Sequence, residues 1–237
     1  MSNPIQEIPL ERLTLTFLPV LVVVAILYRW SCGAPTAGYA VGRMLIQLLL
    51  IGYVLAFIFG TGHSVVVLAV LFVMLAIASW IALRPLRERS GSQYLKALRS
   101  IALGGVLTLV LVTQGVLDLQ PWFDPRKVIP LAGMIFANSM TAISLAADRF
   151  YAEVPTATYA VARNAALRAA LIPITNSLFA VGLVSLPGMM TGQILSGVDP
   201  LVAANYQIMV MCMLYGSSGI SAAYYLTLLK DEGLQKV

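Results

Sequence analysis

Long runs of hydrophobic residues, separated by short polar segments, recur along the whole chain. A transmembrane helix needs roughly 20 mostly apolar residues to cross about 30 Å of hydrocarbon. The pattern therefore predicts an all-α, polytopic membrane protein with about seven transmembrane helices in a single transmembrane domain, residues 1–237. The predicted spans are 12–29, 42–60, 64–83, 100–118, 128–147, 169–188 and 205–229.

The sixth span leads into a stretch that an ordinary transmembrane helix does not contain. Within Gly182 to Gln193, the helix-breaking pair Pro187-Gly188 interrupts an apolar run, and Asp199-Pro200 ends the segment. A break inside lipid frees backbone groups that must find partners in protein or water. Such breaks are tolerated where backbone lines a cavity, as in many transporters. Two interpretations follow: a broken helix that lines a cavity, or a helix end with a turn just outside the bilayer.

The composition agrees with a membrane protein and also predicts an orientation. Hydrophobic residues make up 59% of the chain and charged residues 11%, whereas soluble domains carry about a quarter charged residues. The net charge of +5 does not indicate nucleic-acid binding, because the basic residues flank apolar spans. With the N-terminus outside, twelve of the fifteen basic residues face inward, and only Arg12, Arg126 and Lys127 lie outside. The positive-inside rule thus predicts N-out and C-in.

Few side chains in the spans could carry chemistry. Arg43 lies one turn before Gln47, and it either snorkels to the headgroups or makes a structural or gating contact. Asn138 and Asn176 lie deep in adjacent spans, where amides bond across helices or line a wet path. Methionine thioethers, concentrated in the last three spans, are either weak ligands for soft ions or flexible filler.

Several motifs are absent from the sequence. There is no phosphate-binding G-x-x-x-x-G-K-[ST] loop, no catalytic motif and no buried carboxylate or histidine for a coupling ion. Cys32 and Cys212 are predicted to be unpaired thiols. These features predict a protein that is not an enzyme, has no cofactor or nucleotide site of its own, and takes its energy from a separate protein.

Four stretches carry a resemblance to a known family, across most of residues 12–229. They are Val41-Gly42-Arg43 with Gln47 and Gly52-Tyr53-Val54-Leu55; Val128 to Ile135 with Asn138 and Met140; Arg168 to Pro173; and Gly182 to Gln193, continuing through Asp199-Pro200 to Tyr206-Gln207-Ile208-Met209. With these motifs the chain resembles the FetB-type iron-export permeases of ABC transporters. That family also includes plant aluminium-tolerance proteins.

The resemblance implies a function and partners. The chain would be the permease subunit of an exporter in the bacterial inner membrane, forming a homodimer and pairing with an ATP-binding cassette ATPase that uses the ATP. The cargo would be a metal ion, with iron expected. The predicted substrate path comprises Asn138, Met140, Asn176, Met189, Met190 and Gln193, with Met189 and Met190 as weak metal ligands. Arg43, Gln47, Pro187 and Gly188 are predicted to be structural or gating residues, and Arg149, Arg163 and Arg168 to dock the ATPase.

The chain departs from the family at two places, and alternatives stay open. Ala137 stands where relatives usually have glycine. The cytoplasmic segment between Asp148 and Arg168 is shorter than usual and lacks an acidic helix that resembles a coupling element. The absence of membrane carboxylates and histidines argues against a bare ferrous ion. Alternatives are therefore a chelated cargo, another small solute such as a sugar nucleotide, or a non-transporting membrane scaffold or regulatory partner.

Overall fold

A computed structural model describes residues 9–60, 63–86 and 90–230. These ranges are helical nearly throughout, which confirms the all-α class. The helices are α1 (Leu10–Leu15), α2 (Phe17–Arg29), α3 (Ala34–Gly60), α4 (Ser64–Ala82), α5 (Gly91–Ile101), α6 (Leu107–Val110), α7 (Pro125–Glu153), α8 (Tyr159–Ala180), α9 (Gly188–Leu195) and α10 (Pro200–Leu228). A π-helical segment, Ala102–Val106, joins α5 to α6, and a second one, Leu111–Val116, extends α6, so that the four form one continuous rod, called the α5–α6 rod.

Six helical segments of the described residues are long and apolar enough to cross a membrane, as expected of a multi-pass membrane protein. They are Glu11–Arg29, Ala34–Leu55, Ser64–Ala82, Gly91–Val116, Pro125–Glu153 and Pro200–Leu228, and each overlaps a predicted span.

The bounds of the sixth predicted span, 169–188, are wrong, because α8 runs from Tyr159 to Ala180. Its 22 residues reach about 33 Å, enough to cross a bilayer. Arg163 and Arg168 lie in its first half, and α8 is not among the six segments above.

The chain divides into two compact units, Met1–Gly62 and His63–Val237. In the first unit α2 packs against α3. The connection between them reverses direction at Ser31 and Gly33, both of which have positive φ (54° and 80°). Large apolar side chains of this unit, such as Leu21 and Leu49, are exposed, as expected of helices whose surroundings are lipid.

The second unit is built around α7, which packs against α4, α8 and α10. Its buried face includes Ile135, Ile143 and Phe150, and α10 contributes the buried Tyr225 and Leu226. These side chains form a core that does not depend on the membrane for its burial.

A pair of glycines brings the α5–α6 rod close to its neighbours. A Cβ atom on Gly104 would lie 2.8 Å from the backbone nitrogen of Ser221 and 2.9 Å from the carbonyl oxygen of Ser217, both on α10. A Cβ on Gly105 would lie 3.0 Å from the ring of Phe136 on α7. Both glycines fall in the first π-helical segment, where the rod meets α7 and α10 at backbone distance.

The predicted cytoplasmic segment between Asp148 and Arg168 is mostly helix, which corrects its reading as a loop. Helix α7 continues to Glu153 and α8 begins at Tyr159, so that only residues 154–158 turn. An ion pair between Arg149 and Glu153 closes the last turn of α7. An ion pair four residues apart stabilises helix beyond an apolar run, and a count of hydrophobic residues does not detect it.

Candidate functional site

The break in the chain begins before the Pro187-Gly188 pair. Helix α8 ends at Ala180, and Gly182 turns the backbone with φ +82°. The carbonyl oxygen of Ala180 accepts hydrogen bonds from the backbone nitrogens of Val184 (2.8 Å) and Ser185 (3.1 Å). The backbone groups freed by the break are therefore satisfied within a compact loop, as a membrane environment requires.

Pro187 and Gly188 start a new helix instead of ending the previous one, which corrects the predicted location of the break. Pro187 is the N-cap of α9, whose eight residues end at Leu195. Gly197 then turns the chain with φ +89°. Asp199 caps α10, its Oδ1 accepting hydrogen bonds from the nitrogens of Leu201 (2.8 Å) and Val202 (3.3 Å). The broken segment is thus a short helix between two turns.

A cavity of about 460 Å³ lies beside α9. Its walls come from the end of the α5–α6 rod, the first turns of α7, helix α9 and the start of α10. The lining residues are Leu117, Leu119, Arg126, Lys127, Pro130, Leu131, Met134, Met189, Gln193, Tyr206 and Met209.

Helical spacing explains why these residues share one space. Arg126, Pro130 and Met134 follow each other at intervals of four on α7. Met189 and Gln193 are four apart on α9, and residues three or four apart lie on the same face of a helix. The cavity therefore collects one face from each of its helices.

The rod end reaches the cavity through a residue in an uncommon backbone conformation. Asp118 has φ +43°, a region that aspartate tolerates better than most residues. Beyond it the nitrogen of Leu119 donates to the carbonyl oxygen of Thr113 at 3.0 Å. The turn places both neighbours of Asp118, Leu117 and Leu119, in the cavity wall.

The cavity has four lining side chains with N or O atoms, and two of them are cationic. Arg126 and Lys127 line it, and no carboxylate of the described residues does. The ammonium of Lys127 is 3.7 Å from Asp124 Oδ2, whereas Arg126 has no ion pair with a described residue. Pro130 lacks an N–H, so the carbonyl of Arg126 loses its intrahelical donor.

Gln193 adds an unsatisfied group to the wall. Its Oε1 atom is buried and has no hydrogen-bond partner among the described residues, and an unpaired buried acceptor is costly. Three thioethers, from Met134, Met189 and Met209, complete a mostly apolar lining. Apolar walls with a few convergent polar groups are typical of small-molecule sites.

The predicted path residues only partly converge here. Met189 and Gln193 line the cavity; Met190, Asn138, Met140 and Asn176 are not among its lining residues. Asn138 is half-buried and donates within its own helix, from Nδ2 to the carbonyl oxygen of Met134 at 2.9 Å. Asn176 is exposed on α8. The path itself stays a prediction for all six residues.

Arg43 and Gln47 pair along α3 in the first unit. With the Gln47 amide turned so that its oxygen faces Arg43, the oxygen accepts from Arg43 Nε at 3.0 Å and Nη2 at 3.3 Å. The amide thus satisfies part of a guanidinium that lies nine residues beyond the start of the helix. This contact is within one helix; a gating role stays a prediction.

The three arginines predicted to dock the ATPase differ in the contacts that their side chains make. Arg149 pairs with Glu153. Arg163 lies over the ring of Tyr159, 5.8 Å from its centroid, and donates to Asn164 Oδ1 at 3.1 and 3.2 Å. Arg168 is exposed.

Five polar or thioether residues of the cavity were not predicted to be path residues: Arg126, Lys127, Met134, Tyr206 and Met209. The two cations were interpreted only as topology signals, and Met134 and Met209 as either weak ligands for soft ions or flexible filler. The four-residue spacing from Arg126 through Pro130 to Met134 could have shown that these three residues share one face of a helix.

The described residues contain no group of three His, Cys, Asp or Glu side chains that could hold a metal ion. The cavity therefore offers no ordinary protein site for a tightly bound cation, and the only ligands of soft character in it are thioethers.

Comparison with known proteins places these features in a family. The profile of the Uncharacterised protein family UPF0014 matches residues 10–164 and 154–232. The UPF0014 membrane protein slr1647 of Synechocystis is 37% identical over 207 residues, 77% of each chain. The probable iron export permease protein FetB of Escherichia coli is 36% identical over 241 residues, 92% of this chain and 90% of its own length.

A plant protein shows the same similarity. The protein ALUMINUM SENSITIVE 3 of Arabidopsis thaliana is 34% identical over 223 residues, covering 86% of this chain and 80% of its own length. No solved structure matches the chain. The family profile and these relatives confirm the resemblance carried by the four sequence stretches: the chain belongs to the UPF0014 family of membrane proteins.

Proposed function

We propose that this chain is the membrane permease subunit of an ABC-type exporter, which moves a metal, with iron expected, out of the cytoplasm. The similarity to FetB over 92% of the chain supports a membrane permease and suggests the cargo. The observation that carries the proposal is the cavity beside the broken segment, since transporters form substrate sites where interrupted helices meet.

The side chains that line the cavity suit a site that releases its substrate better than one that holds it tightly. Its thioethers and single amide are weak ligands for a hard or borderline ion. A transported substrate must leave again, so a weak and exchangeable site favours turnover. Met189 and Gln193 are the predicted path residues that such a site would use, because both line the cavity.

The energy would come from a separate ATP-binding cassette ATPase, because the sequence has no phosphate-binding loop of its own. We expect the α7–α8 turn, residues 154–158, to be the docking element, with Arg149, Arg163 and Arg168 beside it. A second copy of the permease would complete the transporter.

The proposed orientation puts the N-terminus outside and the C-terminus in the cytoplasm of a bacterial inner membrane. The start of α7, with Arg126 and Lys127, then lies on the outer side. In this orientation the cavity is near the point where an exported cargo leaves.

Reconstitution tests the proposal. The chain is purified from its native membrane, the ATPase that accompanies it is identified, and both are placed in liposomes. ATP added outside should drive metal into vesicles whose transporters expose their cytoplasmic face. Failure of the purified chain to associate with any ATPase would favour the scaffold alternative, and flux without ATP would indicate a channel.

A further inference from the structure

We infer that the cavity takes its cargo as an anionic chelate, a metal already held by carboxylate or phosphate oxygens, and not as a bare metal ion. The inference rests on the proposed export function and names the substrate class of the same cavity.

The charge of the cavity wall is the first argument. Arg126 and Lys127 contribute two positive charges, and no described carboxylate lines the cavity to balance them. Asp124 lies 3.7 Å from Lys127 and offsets part of that charge, which leaves Arg126 as the main cation. A cationic wall in an apolar cavity repels a bare divalent or trivalent ion and attracts an anion.

The geometry of the helices adds to this potential. Met189 lies in the first turn of α9, which has no side-chain cap, whereas Asp124 already caps α7 by accepting from the nitrogen of Arg126. The N-terminus of a helix carries a partial positive charge that favours anions. Guanidinium and carboxylate or phosphate oxygens also match in shape, because two parallel hydrogen bonds can form.

The Gln193 side chain adds a polar group to the same wall. Its Oε1 atom is buried, but a side-chain amide also carries two N–H donors. Carboxylate or phosphate oxygens of an anionic complex can accept from such donors and from Arg126.

The size of the cavity agrees with a complex. A water molecule occupies about 30 Å³ in the liquid, so a metal with six waters would fill roughly 180 Å³. The cavity has about 460 Å³, which lies in the range of small-molecule sites. A bare or hydrated ion would occupy less than half of it.

Binding to the full-length chain in lipid nanodiscs tests this inference. The probes are ferric citrate, ferric pyrophosphate, ferrous ion alone, citrate alone and a nucleotide sugar. Wild type should bind the two ferric complexes, more weakly at higher ionic strength. Arg126→Gln should lower their affinity at least tenfold, Lys127→Gln should lower it less, and Arg126→Lys should retain most of it.

Arg99→Gln is the matched control, since it removes an exposed arginine from α5, eighteen positions before Leu117 at the cavity wall. It should leave the binding of the complexes unchanged. Tighter binding of ferrous ion than of either complex, or complex binding that Arg126→Gln leaves unchanged, would overturn the inference. Equal binding of citrate alone, or of the nucleotide sugar without metal, would overturn the metal part of it.

A transport assay distinguishes failure of this inference from failure of the proposed function. ATP-driven export of ferrous ion that Arg126→Gln leaves unchanged would preserve the exporter and overturn the anionic cargo. Binding of the ferric complexes through Arg126, with no ATP-driven transport of any metal form, would overturn the exporter and preserve the binding site.

Discussion

The hydroxyl of Tyr159 donates a hydrogen bond to the carbonyl oxygen of Leu226 at 2.9 Å. Tyr159 is the first residue of α8, and Leu226 lies in the last turn of α10. The bond therefore ties the α7–α8 turn, where an ATPase is expected to dock, to the C-terminal end of the helix that begins at the cavity.

Replacing Tyr159 by phenylalanine should loosen this connection. The loss of one hydrogen bond lowers stability by about 1 kcal/mol, and the melting temperature of the purified protein should fall by a few degrees. Tyr53→Phe is the control, because Tyr53 is 82% exposed on α3 and should have no effect. An equal melting temperature for Tyr159→Phe and wild type would contradict the structural role of the bond.

Gly104→Ala should destabilise the second unit. The new methyl group would meet backbone atoms of Ser217 and Ser221 at 2.8–2.9 Å, and backbone cannot move aside as a side-chain end can. Overpacking of this kind costs about 1–3 kcal/mol. Thermal unfolding in detergent measures the loss. Gly216→Ala on α10, where no atom lies within 4 Å of the added methyl, should be neutral or stabilising.

Met189 and Met190 form a natural pair for testing the path. Met189 lines the cavity and its neighbour does not, although both are half-buried on the same short helix. If the cavity carries cargo, Met189→Ala should reduce ATP-driven metal flux several-fold, and Met190→Ala should reduce it less. Equal metal flux through the Met189→Ala variant and the wild type would indicate that Met189 only fills space in the packed helices.

The orientation predicts which side of the membrane each loop reaches. In a background with Cys32→Ala and Cys212→Ala, Ser92→Cys at the start of α5 should resist an impermeant thiol reagent added to intact cells. Ser196→Cys, between α9 and α10, should react. Both serines are exposed in the folded chain. The reverse labelling pattern would place the N-terminus inside.

The sequence predicted the spans well where a helix and its apolar run coincide. Ser64–Ala82 is such a case, since its helix matches the predicted span within one residue. The predicted bounds were wrong for α8. Its start was missed because the ring of Tyr159 and the amide of Asn164 both contact Arg163, so that a charged residue is accommodated in the first turns of the helix. At the other end the left-handed backbone of Gly182 follows directly after the last turn, and hydropathy does not register backbone conformation.

The candidate site was predictable only in part, because it depends on tertiary packing. The break pointed to Met189 and Gln193, both of which reach the cavity. Arg126 lies more than 60 positions earlier in the sequence, where a basic residue beside a span is explained equally well by topology. Only the packing of α7 and α10 beside α9 shows that these residues share one space.

Helix α9 is joined to the rest of the chain by two glycines in the left-handed region, Gly182 and Gly197. Nothing lies within 4 Å of the position where either would carry a side chain, and glycine rotates more freely than any other residue. A change of backbone angle at these two glycines would move α9 as a rigid unit, with its internal hydrogen bonds intact. Met189 and Gln193 would then leave the cavity wall together, and the cavity would open on the side that α9 now covers.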